Sequence, residues 1–154
     1  MSETAVLVSE LRWALMAQAA ELGTLAPEAL NRAPNLADAN SPAAIVAHSV
    51  AVVRVYVLGL GCGWLVDRDR PEEFAARYPN IAVAVAELRG VASSVSAALR
   101  DLSGPALDGM VAPPRALWGT GDLQVVSRRA CIVHALRHTA VHVGELRLTA
   151  SLLR

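Results

Sequence analysis

Four residues near the C-terminus, His134, His138, His142 and Glu145, constrain this 154-residue chain more than any other feature. They stand in the run His134-Ala-Leu-Arg-His138-Thr-Ala-Val-His142-Val-Gly-Glu145. An α-helix turns about 100° per residue, so spacings of four, four and three put all of them on one stripe. Arg129, Arg137, Arg147 and Arg154 fall on the other side, where solvent is the natural neighbour. The run therefore predicts a helix whose histidine face looks into the fold. Imidazoles four residues apart on a buried face can share one divalent ion, as two of its three or four protein ligands. At roughly 1.5 Å of rise per residue, His134 and His142 lie about 12 Å apart, so one ion takes one adjacent pair and not all three. The remaining histidine, His48, lies on another apolar run. A ligand set of His48 plus one pair follows.

Residues 1–154 are expected to form a single domain, long enough to bury a substantial core. Hydrophobic residues make up 54% of the chain and aromatics only 4%, a balance that suits close-packed helices. Formal net charge is zero, which leaves no electrostatic footprint for nucleic acid. Every basic residue is arginine, which removes lysine Schiff-base chemistry. Cys62 and Cys131 are isolated, with no CxxC spacing and no secretory leader, so a reduced, cytoplasmic protein is expected. Pro42 to Val66 is an apolar run of membrane-spanning length. It contains His48 and Arg54, and an arginine near a membrane centre costs roughly 2.5–3.5 kcal/mol. No basic cluster flanks the run, and Asp67-Arg68-Asp69-Arg70 follows directly. The reading is a buried bundle helix and no membrane span.

Taken in order, the first helix is expected over about Glu3–Leu22, stopped by Gly23, with Leu7, Leu11, Leu15 and Leu22 inward and Arg12 and Gln18 outward. Asn40-Ser41-Pro42 starts the second: Ser41 can cap, and Pro42 sits where a missing N–H costs nothing. Ile45, His48, Val52, Val55 and Tyr56 then share its core face. Gly61-Cys62-Gly63 breaks or bends the run, and the charged loop Val66 to Phe74 leads into a short helix. Its arginines, Arg68 and Arg70, pair most simply with Asp67, Asp69, Glu72 and Glu73 in solvent. A third long helix opens near Asn80, with Ile81, Val85, Leu88, Val95, Leu99 and Leu102 inward, and Ser103-Gly104-Pro105 ends it. A Pro- and Gly-rich connector, Gly104 to Val126, carries Leu117-Trp118-Gly-Thr-Gly121. Connectors of that length in compact domains are often functional. Ser127 caps the last helix. No extended sheet is expected, and four helices in one bundle is the economical architecture.

His48 with an i, i+4 pair gives three neutral imidazoles and open positions, the donor set of a catalytic rather than a closed structural site. Glu145 reads as a base for a bound water, as a carboxylate that braces a ligand, or simply as a polar residue reaching out at the bundle's end. Cys62 and Cys131 read first as small buried hydrophobes.

Asn40-Ser41-Pro42 followed by Ala47-His48, and Arg137-His138-Thr-Ala-Val-His142-Val-Gly144-Glu145-Leu146, resemble the DinB-like superfamily of metal-binding four-helix bundles. Gly61-Cys62-Gly63 and the segment Val66 to Phe74 are similar to its DinB or mycothiol-transferase branch. The resemblance implies an all-α, up-down-down-up bundle with long loops between helices two and three and between three and four. It also implies a homodimer and a zinc or nickel ion held by His48, His138 and His142, with His134 beside the ligands rather than among them. Glu145 stands where the family usually has glutamine. At Gly144 a facing chain is expected to approach closely.

By the same resemblance the activity is a thiol-dependent S-transfer in which the metal activates a low-molecular-weight thiol toward a small electrophile. Glu145 is then the candidate catalytic residue, and Cys62, Arg68, Arg70 and Trp118 are candidates for substrate binding. One alternative is a non-catalytic, stress-associated protein that binds a metal or small ligand in the same pocket. Another is a dimerisation bundle whose histidines have lost their role.

Overall fold

Each long helix begins at a side chain that accepts a backbone N–H, an interaction worth about 1 kcal/mol per helix. Ser2 receives the N–H of Ala5 and opens α1 (Glu3–Leu22); Ser41 receives that of Ala44 and opens α2 (Pro42–Val53). After α3 (Arg70–Ala75), Asn80 receives the N–H of Val83 and opens α4 (Ile81–Arg100). Past the short α5 (Gly104–Leu107), Ser127 receives the N–H of Ala130 and opens α6 (Arg128–Leu152). These residues belong to a computed structural model that describes 2–118 and 120–154; Met1, and Gly119 beside Trp118 in the connector, lie outside the described residues. Two-residue strands β1 (Met110–Val111) and β2 (Val126–Ser127) pair antiparallel and pinch the ends of the connector together. Among the described residues there is no other sheet.

Contacts at the two ends fix the topology. Arg129 pairs with Glu3 and Arg147 with Glu21, so α6 runs parallel to α1. Asn40 meets Glu145, His48 meets His138, and Gly61 lies on Ile132, so α2 runs antiparallel to α6. The α4 helix packs on α1 and α2, and the chain beyond it returns Asp108 to Arg129 at the start of α6. It therefore runs down with α2, and the bundle is up-down-down-up.

The run Pro42–Gly61 is long and apolar enough to cross a membrane, yet 78% of its most apolar window is buried inside the bundle; α4 passes the same test of length and composition with 28% buried. From Arg54 to Gly61 the α2 axis continues as a π-helix. Two glycines let this stretch sit where it does. A Cβ on Gly59 would fall 2.5 Å from Val66, and one on Gly61 2.9 Å from Ile132. Apolar periodicity does not distinguish π from α over two turns, so the change of pitch was not expected.

Two expectations about side chains are corrected. Gln18 was placed outward, but it is fully buried where α1 crosses α2 and α6. Its Nε2 donates to Ser49 Oγ at 3.0 Å and to the carbonyl of Thr139 at 3.1 Å, which offsets the cost of hiding that end, while Oε1 is buried without a partner among the described residues. Its polarity suggested solvent, whereas its position three residues after Leu15 puts it on the core stripe. Gly144 faces open space, with nothing within 4 Å of a Cβ built on it, so among the described residues no facing segment approaches it closely. Gln18→Ala is expected to lower stability by about 2–3 kcal/mol, from a cavity and two lost hydrogen bonds, measurable as a lower urea midpoint at unchanged slope.

Candidate metal centre

The second turn of α2 and the middle of α6 face each other across the bundle, so His48, His138 and His142 meet although 90 residues separate the first two. One ring nitrogen from each lies within 4.8 Å of the other two. His138 Nε2 is 2.9 Å from His48 Nε2 and 2.9 Å from His142 Nε2. His48 is buried, while His138 and His142 are partly open.

The far nitrogens of two of these rings are taken by carboxylates. Glu73 Oε2 accepts from His48 Nδ1 at 2.6 Å, and Glu145 Oε2 accepts from His142 Nδ1 at 2.5 Å. With a proton on each Nδ1, the neutral rings of His48 and His142 present bare lone pairs at Nε2. His138 can carry only one proton on Nε2, so it can serve only one of its two neighbours. The other contact then sets a bare lone pair at hydrogen-bond distance from a nitrogen that directs no proton at it, unless a cation is shared. A tetrahedral zinc ion with nitrogens at about 2.0–2.1 Å separates its ligands by about 3.4 Å, between the closest and widest spacings seen here. The donor set therefore fits a divalent metal. A carboxylate behind a ligating histidine is the usual arrangement that fixes tautomer and ring direction.

Glu73 had been assigned to a solvated charge cluster. Its pairing with Arg68 is present, at 2.8 Å, but both side chains are about 95% hidden. They are drawn in because α3 folds back on α2 and stacks Phe74 on the His48 ring, with centroids 4.9 Å apart. Burial pushes the Glu73 carboxyl up, but hydrogen bonds from His48 and Arg68 outweigh it and the net shift is downward. The hydrogen bond from His142 is the main reason that Glu145 also lies below the usual carboxylate range, and Asn40 assists at 3.3 Å. Glu73 is the site residue that sequence reading missed. Its only signal was an acid three residues after Arg70, in a segment that reads as surface.

His134 is not part of the trio. Its ring stacks 5.7 Å from that of His138 and 4.5 Å from Tyr56. Burial lowers the pKa of His138 to about 4, reinforced by His142, His48, His134 and Arg68, so the ring is neutral at pH 7. The unfolded chain takes up that proton near 6.5, so between about pH 6.5 and 4 it binds a proton that the folded protein refuses. The metal-free protein should therefore lose on the order of 2 kcal/mol as pH falls through this window, and none of it above pH 7. The lowered carboxyls of Glu73 and Glu145 add further loss only at more acid pH. Urea midpoints between pH 4 and 8 check the window.

A cavity of about 540 Å³ opens beside the trio. Arg68, Arg70 and Trp118 line it with His48, His134 and His138, and so do Tyr56, Cys131 and Arg137. Arg68 reaches the carbonyl of Leu117 at 3.4 Å, which ties the long connector to the site. Cys62 is not among the lining residues; it packs half-buried on the core. Burial pushes the thiols of Cys62 and Cys131 up to about 11, so neither supplies a thiolate at neutral pH.

The family model for the DinB superfamily matches residues 10–146. The chain belongs to the DinB superfamily. Its bundle is similar to the crystal structure of a conserved protein from Enterococcus faecalis, at a TM-score of 0.75 and 14% sequence identity, covering 99% of this chain and 98% of that one. At that identity the likeness is one of fold. No curated protein matches the sequence. The all-α bundle that the resemblance implied is thus the DinB fold, with three histidines on α2 and α6 close enough together to share a metal ion.

Proposed function

We propose that this DinB-superfamily chain holds one zinc or nickel ion on His48, His138 and His142 and acts as a thiol-dependent S-transferase. The observation that carries the reading is the convergence of three Nε2 atoms, with too few protons among them, beside an open cavity that His48 and His138 line. A divalent ion held there by His48, His138 and His142 would supply a positive centre that favours thiolate over thiol. The remaining work falls to the protein. Glu73 and Glu145 hold the rings of His48 and His142 in one tautomer, and this bracing is the role we assign to Glu145 in place of a base. His134 lines the cavity and is neutral at pH 7, its pKa lowered by burial and then by Arg137 and Arg68, so a ring nitrogen is free to take the thiol's proton. Trp118 and Tyr56 wall the cavity where the electrophile would lie. In the transfer the S–H bond loses its proton, an S–C bond forms, and the leaving group departs with its electron pair.

The test is consumption of free thiol by metal-loaded protein given mycothiol, bacillithiol or glutathione and a general alkylating electrophile. The expected rate enhancement disappears in His138→Ala, falls at least about tenfold in His134→Ala with the metal retained, and survives in Cys62→Ser and Cys131→Ser. Enhancement lost in a cysteine variant, or surviving metal removal, would overturn the reading.

A homodimer belongs to the same proposal. Val141, Leu148 and Leu152 are 49–65% exposed. With Gly144 they follow one outward stripe of α6 at three- and four-residue spacing, the seam of a helix-to-helix contact. Sedimentation at micromolar concentration should give twice the chain mass, and a monomer would refute it.

A further inference from the structure

The cavity beside the three histidines has an electrostatic character that the neutral chain as a whole lacks. Its described lining residues include Arg68, Arg70 and Arg137, and no aspartate or glutamate. Arg68 is already spoken for, because Glu73 holds its Nε and one terminal nitrogen from behind. Among the described residues, neither Arg70 nor Arg137 has a carboxylate within ion-pair distance. Arg70 instead lies over the Phe74 ring, 5.5 Å from its centroid, and that ring is stacked on His48. One aromatic ring thus separates the Arg70 guanidinium from a metal-binding imidazole. Arg137 precedes His138 and stands one turn after His134, on the side of α6 that lines the opening. Between the two arginines the wall is apolar and aromatic: Val52, Tyr56, Trp118 and Val133.

We infer that this cavity selects an organic anion, a small carboxylate- or phosphate-bearing molecule whose charged end is held by Arg70 and Arg137 and whose apolar body lies against Trp118 and Tyr56. The inference deepens the transferase reading by naming the class of its small-molecule substrate. Free guanidiniums at the rim of an apolar site cost little while water reaches them. They give charge-assisted, bidentate contacts when a carboxylate displaces that water. A neutral molecule of the same shape leaves both arginines without a partner in a partly desolvated wall, and discrimination follows from that difference. The cavity's volume falls within the roughly 300–1,000 Å³ of small-molecule sites.

Calorimetric titration of the metal-free protein at pH 7.5 with naphthalene-2-carboxylate and its uncharged isostere, naphthalene-2-carboxamide, tests the inference. The carboxylate should bind at least about tenfold more tightly. Arg70→Gln and Arg137→Gln should each cut that preference about threefold or more, and the double variant should bring the two probes within about twofold. Arg100→Gln, which does not line the cavity, should leave it unchanged, and 0.5 M salt should weaken the carboxylate alone. Naphthyl phosphate in place of the carboxylate distinguishes which anion fits better. Equal binding of acid and amide, a preference that survives the double variant, or no binding of either probe overturns the inference. The titration needs no metal, so failure of the ion to bind would bear on the transferase reading alone.

Discussion

Replacing any one of His48, His138 and His142 by alanine is expected to lower affinity for zinc or nickel by at least about 100-fold, while His134→Ala changes it by less than about threefold. Each member of the trio offers one Nε2 to a shared point, and two imidazoles do not make a stable protein site for either ion. His134 sits one turn away, stacked on His138, and offers no nitrogen to that point. Competition against a chromophoric chelator at pH 7.5 reads all four variants on one scale. If His134→Ala emptied the site and His142→Ala did not, the ligand set would be displaced by one helical turn. Affinity should also fall as the pH drops, because protons compete with the ion for the imidazole nitrogens.

Glu73→Ala should be the most damaging single change outside the trio. Glu73 accepts from His48 Nδ1 and from two nitrogens of Arg68, all in a buried setting. Removing it leaves a hidden guanidinium without its counter-charge, which costs roughly 3–5 kcal/mol. It also frees the His48 ring to change tautomer, and losing such a brace lowers metal affinity about 10- to 100-fold. The two effects separate with a second variant. Glu73→Gln keeps a hydrogen-bond acceptor of the same shape, so it should fold better than Glu73→Ala while still losing metal affinity. Denaturant unfolding of the metal-free protein reads the first effect, and chelator competition the second. A Glu73→Ala protein with wild-type stability and metal affinity would show that the buried network contributes nothing.

Much of the fold was legible because its signals are local. Ser41-Pro42, Asn80 and Ser127 each mark a helix start by the chemistry of capping, and the structure uses all three. The histidine triad was legible in kind, since a four-residue spacing on one helix and a lone histidine on another apolar run are both visible in one dimension. Three features were not. Gln18 looked like a surface residue because its partners, Ser49 and Thr139, lie 31 and 121 positions away and only the fold supplies them. Glu73 and Arg68 looked like a solvated pair because nothing local says that α3 will fold back and bury them against His48. Cys62 is a sequence candidate for substrate binding because it lies in the loop after helix two, where the electrophile is expected. The π-helical stretch carries Tyr56 to the cavity instead and leaves Cys62 against the core.

The central claim is that three histidines of this chain hold one metal ion. X-ray absorption at the zinc or nickel edge tests it most directly, on protein purified without a histidine tag, loaded with the ion and freed of excess. One ion per chain is expected, with three imidazole nitrogens in its inner coordination sphere and no cysteine sulfur, and that signal is expected to be lost in His138→Ala. No retained ion, an ion bound through Cys62 or Cys131, or an unchanged spectrum in His138→Ala would contradict it.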